Sequence, residues 1–175
     1  IASNIFLMLY SSQSGTINWL LHLVGIPPVP WLLDPFWAPI AVAIATVWMS
    51  LGFTFIVLLA GMQGIPDELY ESAALDGASG WPMFRHITVP LLSPTLFFVA
   101  VVTTIAVFQA FTQIYIMTKG GPSNSTNTIV FSLYLDAFQR FQFGIASAQA
   151  MILFAIMLLL TLLQFQVLER RVHYG

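Results

Sequence analysis

Three stretches of this sequence, residues 37–61, 91–117 and 144–168, each run for 25 positions or more without a charged residue or a histidine. Rising about 1.5 Å per residue, a helix of that length exceeds the roughly 30 Å hydrocarbon core of a bilayer. A backbone group left unsatisfied in lipid costs several kcal/mol, so such a stretch is expected to close its hydrogen bonds internally, as a helix. One such window also suits the buried helix of a large soluble protein; three in one chain point to membrane spans. Charged residues make up 7% of the chain and hydrophobic ones 58%, against about 25% and about 45–50% in ordinary globular domains. That leaves too few charges to dress a water-facing surface.

The rest of the composition excludes more than it identifies. No cysteine is present, which removes disulfide frameworks and thiolate metal sites and leaves the compartment open. The five basic residues, Arg85, Lys119, Arg140, Arg170 and Arg171, form no group larger than a pair, and the net charge is -2. Nucleic acid is therefore not an expected partner, whereas membrane lipid is. The chain opens at Ile1 without a basic n-region or a small-residue cleavage site, so this start is read as neither a signal peptide nor a natural N-terminus, and earlier spans are expected ahead of it.

Residues 1–10 are apolar but too short to span, residues 11–18 are polar, and Ile26-Pro27-Pro28-Val29-Pro30 cannot be helical throughout. Residues 1–36 are read as the end of a preceding span plus an extracytoplasmic loop. Trp19 and His22 belong to the interface, and Trp31, Trp37 and Trp48 serve as aromatic anchors; His22 has no partner at ligand spacing. Residues 62–90 hold five of the twelve charged residues and residues 118–143 hold three, so these two connections fall on opposite sides. Arg85, Arg170 and Arg171 lie on one side and Lys119 and Arg140 on the other, an excess that places residues 62–90 and the tail 169–175 in the cytoplasm. Residues 118–143 then form an extracytoplasmic connection, a loop over 118–128 by its turn chemistry and an interfacial helix after it.

The connection at 62–90 is the informative one. Pro66 suits a first helical turn, and Asp67 and Glu68 follow where the helix dipole favours acids. Leu69, Tyr70, Ala73, Ala74 and Gly77 then share one stripe of mostly small residues, while Asp67, Glu68 and Glu71 take a separate acidic face. Gly77 is placed to end this helix with positive φ. Ser79 is expected to cap a second short helix that carries Trp81, Phe84 and Ile87 or Thr88 on one face and is interrupted by Pro90. A helix, a glycine turn and a second helix between two spans make a docking knob; the competing reading is an amphipathic element packed on headgroups, against which its acidic face argues.

Glu71-Ser72-Ala73-Ala74-Leu75-Asp76-Gly77-Ala78-Ser79, followed by Ile87-Thr88-Val89-Pro90, resembles the EAA loop in permease subunits of binding-protein-dependent ABC importers. The resemblance is to the carbohydrate group that includes maltose, multiple-sugar and glycerol-3-phosphate permeases. Residues 66–70 resemble the lead-in to that loop, Thr118-Lys119-Gly120-Gly121-Pro122 the Gly-Gly-Pro loop after the next span, and Phe143-Gly144-Ile145-Ala146-Ser147-Ala148 the opening of the last one. Ser72 in place of the first alanine of the triplet, and Val89 in place of the usual leucine, are the departures. The resemblance implies an all-α integral membrane protein of the type I ABC importer permease fold, here the C-terminal part of a six-span subunit of a bacterial inner membrane. It implies as partners a second permease subunit, two cytoplasmic ATPase subunits, an extracytoplasmic solute-binding protein and a sugar-like solute. The EAA loop would be the coupling helix, with Glu71, Ser72, Ala73, Ala74, Asp76, Gly77, Ala78 and Ser79 facing the ATPase, which would hold the ATP and magnesium.

No phosphate-binding Gly-x-x-x-x-Gly-Lys-[Ser/Thr] run occurs, and Asp67, Glu68, Glu71 and Asp76 lack His or Cys partners, so no catalysis, cofactor or metal is assigned to this chain. Ion-coupled carriers place ionisable groups inside the membrane, and the three windows have none; a secondary carrier and a non-transporting scaffold remain the rivals. Within the second window Gln109, Thr112 and Gln113 share a helical face and, with Phe108, offer hydrogen bonds and a stacking surface to a hydroxylated solute, with interhelical hydrogen bonding as the competing role. Ser147 and Gln149 pose the same choice in the third. A phosphate-bearing solute would be expected to meet Arg or Lys, which the windows lack, so a neutral sugar is favoured over glycerol-3-phosphate.

Overall fold

The computed structural model describes residues 2–168; the expectations for Ile1 and for the tail 169–175, with Arg170 and Arg171, lie outside the described residues. Every regular element among them is helical: α1 (Ala2–Leu9), α2 (Thr16–Leu23), α3 (Trp37–Gln63), α4 (Asp67–Leu75), α5 (Trp81–Met83), α6 (Val89–Phe108), α7 (Thr112–Met117), α8 (Ile129–Tyr134) and α9 (Phe143–Leu168). Three stretches, Trp37–Gln63, Trp81–Met117 and Phe143–Gln166, are long and apolar enough to cross a membrane. The all-α membrane fold expected from the three charge-free windows is the fold observed.

The second apolar stretch departs from its expected outline at both ends. Helix begins at Trp81 and continues past Pro90, because a wide π-helical turn at Phe84–Thr88 joins α5 to α6. Such a turn closes its bonds one residue further along, as in the bond from the Val89 N–H to the Phe84 carbonyl, and so absorbs the donor and the space a proline denies to regular helix. Ser79 does not cap it; Gly80 holds the N-cap position without a side-chain bond. At the other end the helix breaks at residues 109–111, between α6 and α7. No glycine or proline stands there. The Phe111 ring instead lies within aromatic contact of Tyr115, Phe131 and Tyr134, with centroids 5.4, 6.0 and 4.9 Å away; the contacts with Phe131 and Tyr134 are tertiary ones that no periodicity encodes.

The chain divides into two compact units. Among the described residues the first comprises residues 2–49 and Val107–Ile156. Its core joins Phe6 and Tyr10 of the α1 region to Ala41, Val42 and Ala45 of α3, Ile114 and Met117 of α7, and Phe131 of α8. The fully buried alanines at 38, 41 and 45 keep one face of α3 flat, so neighbouring elements approach its backbone closely. Asn18 fastens the proline-rich segment: its amide oxygen accepts from the Val29 N–H and the Trp31 indole N–H, both at 3.0 Å, and its amide nitrogen donates to the Val29 carbonyl at 3.0 Å. Asp34 opens α3 by accepting from the Phe36 and Trp37 N–H groups at 2.8 and 3.2 Å. Residues 118–128 form the expected loop, pinned by Thr126, whose hydroxyl donates to the Gly121 carbonyl at 2.8 Å and meets the Thr118 hydroxyl at 2.7 Å.

Among the described residues the second unit comprises Ser50–Ala106 and residues 157–168. Here α6 meets α9 through Phe97 and Phe165, edge to face at 4.9 Å, and through the Gln164 amide donating to the Thr104 hydroxyl at 2.7 Å. The end of α3 meets α6 where Gly61 leaves no room for a side chain. A Cβ there would lie 2.6 Å from Thr95 Oγ1 and 2.8 Å from Leu92 Cδ1. Gly61→Val is therefore expected to force the two helices apart at a cost of about 1–3 kcal/mol, read as a lowered unfolding midpoint in detergent; an unchanged midpoint would show that this contact does not constrain the fold.

Candidate functional site

Pro66, extended at φ -62° and ψ 134°, precedes α4, and Asp67 and Glu68 occupy the first turn, where unpaired N–H groups favour acids. The helix stops after two and a half turns, at Gly77. That residue has φ +81°, and its N–H bonds the Ala74 carbonyl at 3.0 Å while the Ala78 N–H bonds the Ala73 carbonyl at 2.9 Å. This pair of bonds is the Schellman closure, which requires a left-handed residue at the glycine position. Gly80, at φ +54°, turns the chain again into Trp81.

No residue of α4 is buried. Asp67, Glu68 and Glu71 are exposed, as are Ser72, Ala74, Asp76, Gly77 and Ser79, whereas Ala73 and Ala78 are half-buried. The stripe of small residues is thus split, because Tyr70 turns back toward the helix that follows, its hydroxyl 2.9 Å from that of Thr88. Leu75 is the residue that sequence reasoning missed. It is 90% exposed, the most exposed of the large hydrophobic side chains described, with Trp81 beyond the turn at 67%. The available signal was an apolar residue at i+4 from Glu71 and i+7 from Glu68, on the acidic face of a helix already read as lying outside the membrane.

The four residues expected to face a solute are not on one continuous helical face. Phe108 ends α6, Gln109 lies in the break, and Thr112 and Gln113 open α7. Among the described residues none of the Gln109, Thr112 and Gln113 side chains has a hydrogen-bond partner. The break itself borders a cavity of about 380 Å³ lined by Val42, Thr46, Val107, Ala110, Ile114 and the polar segment 125–128. Gln149, in contrast, is committed within the protein: its amide nitrogen donates to Asp136 Oδ2 at 2.8 Å. Asp136, only 4% exposed, also accepts from Arg140 at 2.7 Å. Ser147 is exposed. Among the described residues no group of three or more His, Asp or Glu side chains stands together to hold a metal ion.

Residues 1–174 match the family described as binding-protein-dependent transport system inner membrane component. The chain is 40% identical to the sn-glycerol-3-phosphate transport system permease protein UgpA of Agrobacterium fabrum, over 100% of this chain and 60% of that protein. It is 38% identical to the trehalose/maltose transport system permease protein MalF of Thermococcus litoralis, over 91% of this chain and 54% of that protein. Among solved structures, a bacterial ABC transporter involved in import of the acidic polysaccharide alginate superposes with a TM-score of 0.86 at 26% identity, over 97% of this chain and 59% of that one. The same kind of transporter in complex with an alginate pentasaccharide-bound periplasmic protein gives 0.88 at 26% identity, over 99% and 61%. The chain thus spans about 60% of the length of the proteins it most fully covers.

The geometry of the elbow carries its own test. Gly77→Ala places a Cβ at φ +81° with open space around it, so its cost is the left-handed backbone alone, about 1–2 kcal/mol. That corresponds to roughly 5- to 30-fold faster amide hydrogen exchange at residues 77 and 78, with α3 and α9 unaffected; unchanged exchange would show that the closure does not hold the end of α4.

Proposed function

We propose, from the premise that this chain belongs to the family of binding-protein-dependent transport system inner membrane components, that it is the membrane-spanning permease part of an ATP-driven importer. Its place is a multi-pass one in the inner membrane. The observation that carries the proposal is α4: a helix with nothing buried, stopped by a glycine, fringed by Asp67, Glu68 and Glu71 and displaying Leu75. A loop so shaped suits a cytoplasmic ATPase that supplies apolar contact and cationic groups, and the sequence itself has no phosphate-binding loop with which to hydrolyse ATP. ATP and magnesium belong, on this reading, to two ATPase subunits. A second permease subunit and an extracytoplasmic solute-binding protein complete the complex, and residues 62–90 face the cytoplasm. Glu71, Ser72, Ala74, Asp76, Gly77 and Ser79, with the half-buried Ala73 and Ala78, make up the coupling surface, and Leu75 joins them.

The solute proposed is a sugar or sugar-like molecule. Phe108, Gln109, Thr112 and Gln113 offer it a ring and free hydrogen-bonding groups at a break in an apolar helical stretch, beside a cavity that none of the four lines and whose polar lining comes from Thr46 and residues 125–128. A second reading, glycerol-3-phosphate, is favoured by the relatives that carry that name. The absence of Arg and Lys from residues 91–117 and 144–168 speaks against it.

In the full permease reconstituted with its ATPase and binding protein, Glu71→Lys is expected to lower ATPase co-purification severalfold while membrane insertion stays normal, since the residue is exposed and outside every span. Co-purification at the wild-type level would remove α4 from the ATPase interface. Uptake by the same vesicles decides the solute: a neutral oligosaccharide that stimulates ATP hydrolysis where sn-glycerol-3-phosphate does not supports the first reading, and the reverse selects the second. Uptake that follows an ion gradient without ATP would overturn both.

A further inference from the structure

The hydrogen bond between Tyr70 and Thr88 crosses 18 residues of chain at 2.9 Å. Among the described residues it is the only side-chain hydrogen bond that joins α4 to another helix; Ser72, the other bonded side chain, reaches no further than the Leu69 carbonyl. With no buried residue, α4 has little packing to hold its direction. Its two covalent connections are the short segment 64–66 and the turn 76–80, and the latter contains two glycines at positive φ, a connection that bends easily. Thr88, by contrast, is 5% exposed and is the last residue of the π-helical turn, where the helical run passes into α6.

We infer that Tyr70 and Thr88 form the strut through which displacement of α4 reaches the following membrane helix, so that the pair positions the elbow and sets the coupling of ATP hydrolysis to solute movement. This rests on the reading of α4 as the ATPase-contacting helix. Glu71 and Leu75 face outward, away from the strut's work, and make the contact; Tyr70 carries the load inward. A phenolic hydroxyl on a buried threonine hydroxyl fixes both distance and direction, which a sliding apolar contact does not. Without it α4 remains able to dock but swings on its glycine turn, and hydrolysis proceeds with less solute moved.

The test is Tyr70→Phe, Thr88→Val and the double variant in the full permease assembled with its ATPase and binding protein, reading both ATPase co-purification and solute imported per ATP hydrolysed. Each single variant is expected to leave co-purification unchanged and to lower the import ratio about 2- to 10-fold, the span set by the net worth of one hydrogen bond. The double variant is expected to be no worse than either single one, because both remove the same bond, and Thr88→Ser, which keeps the hydroxyl, to retain the wild-type ratio. A normal ratio in Tyr70→Phe overturns the strut, as does a double variant whose loss is the product of the two singles. Should Thr88→Val fail to assemble, Tyr70→Phe and Thr88→Ser decide the matter. Loss of co-purification in Tyr70→Phe would make Tyr70 a docking residue and also overturn it. Failure of the parent reading shows separately, as co-purification unaffected by Glu71→Lys.

Discussion

Lipid gives the backbone no hydrogen-bond partner, and that constraint decides where this chain is free to be irregular. Helices α3 and α9 run without interruption for 27 and 26 residues. Irregular backbone is concentrated in the connections, at 10–15, 24–36, 64–66, 76–80, 118–128 and 140–142. Inside the three long apolar stretches it occurs at two places. The π-helical turn at Phe84–Thr88 keeps its bonds by lengthening each by a residue, and the break at 109–111 keeps the Ala110 N–H on the Val107 carbonyl while a cavity opens beside it. Both irregularities lie on the helical stretch that follows the exposed elbow.

The same economy governs side chains. Asp136 is a carboxylate with 4% exposure, yet one oxygen meets Arg140 and the other Gln149. A buried charge without such partners costs several kcal/mol. Gln149 lies on α9 and Asp136 in the turn after α8, so the pair fastens the end of α8 to the start of α9. Gln164 on the Thr104 hydroxyl plays a comparable part between α9 and α6 in the other unit. Gln149 was ambiguous in sequence between solute and scaffold; it turns out to serve an interhelical bond, as Gln164 does, whereas Gln109 and Gln113 do not.

The charge-free windows were legible because membrane length and hydropathy are additive, local properties of sequence. The start of α4, the glycine stop and the acidic face were legible for the same reason, since capping and dipole preferences act within one turn. The break at 109–111 was not, because Gln109, Ala110 and Phe111 are ordinary helix residues and the aromatic cluster around Phe111 is assembled from residues distant in sequence. Pro90 was misread as an interruption since a proline's effect depends on the turn before it, and a π-helical turn leaves little signal. Leu75 escaped notice because the stripe was defined by small residues, and Tyr70 was assigned to that stripe when its hydroxyl belongs to Thr88.

Energetics argue that the elbow's task, on the proposed reading, is stiffness more than adhesion. Burying one leucine contributes about 1.5–3 kcal/mol, and acid pairs at a solvated rim contribute about 0–1 kcal/mol each. Those sums hold a partner weakly, so a stable complex must draw its affinity from more than α4. A weak contact nevertheless transmits motion well if its mounting does not yield. Here the mounting is asymmetric: Ile65, buried, anchors the entry side, the exit side turns on glycines, and the Tyr70 hydroxyl spans the gap to Thr88. A helix that binds lightly and is braced on one side can follow a moving partner through a cycle and still return its displacement to the membrane.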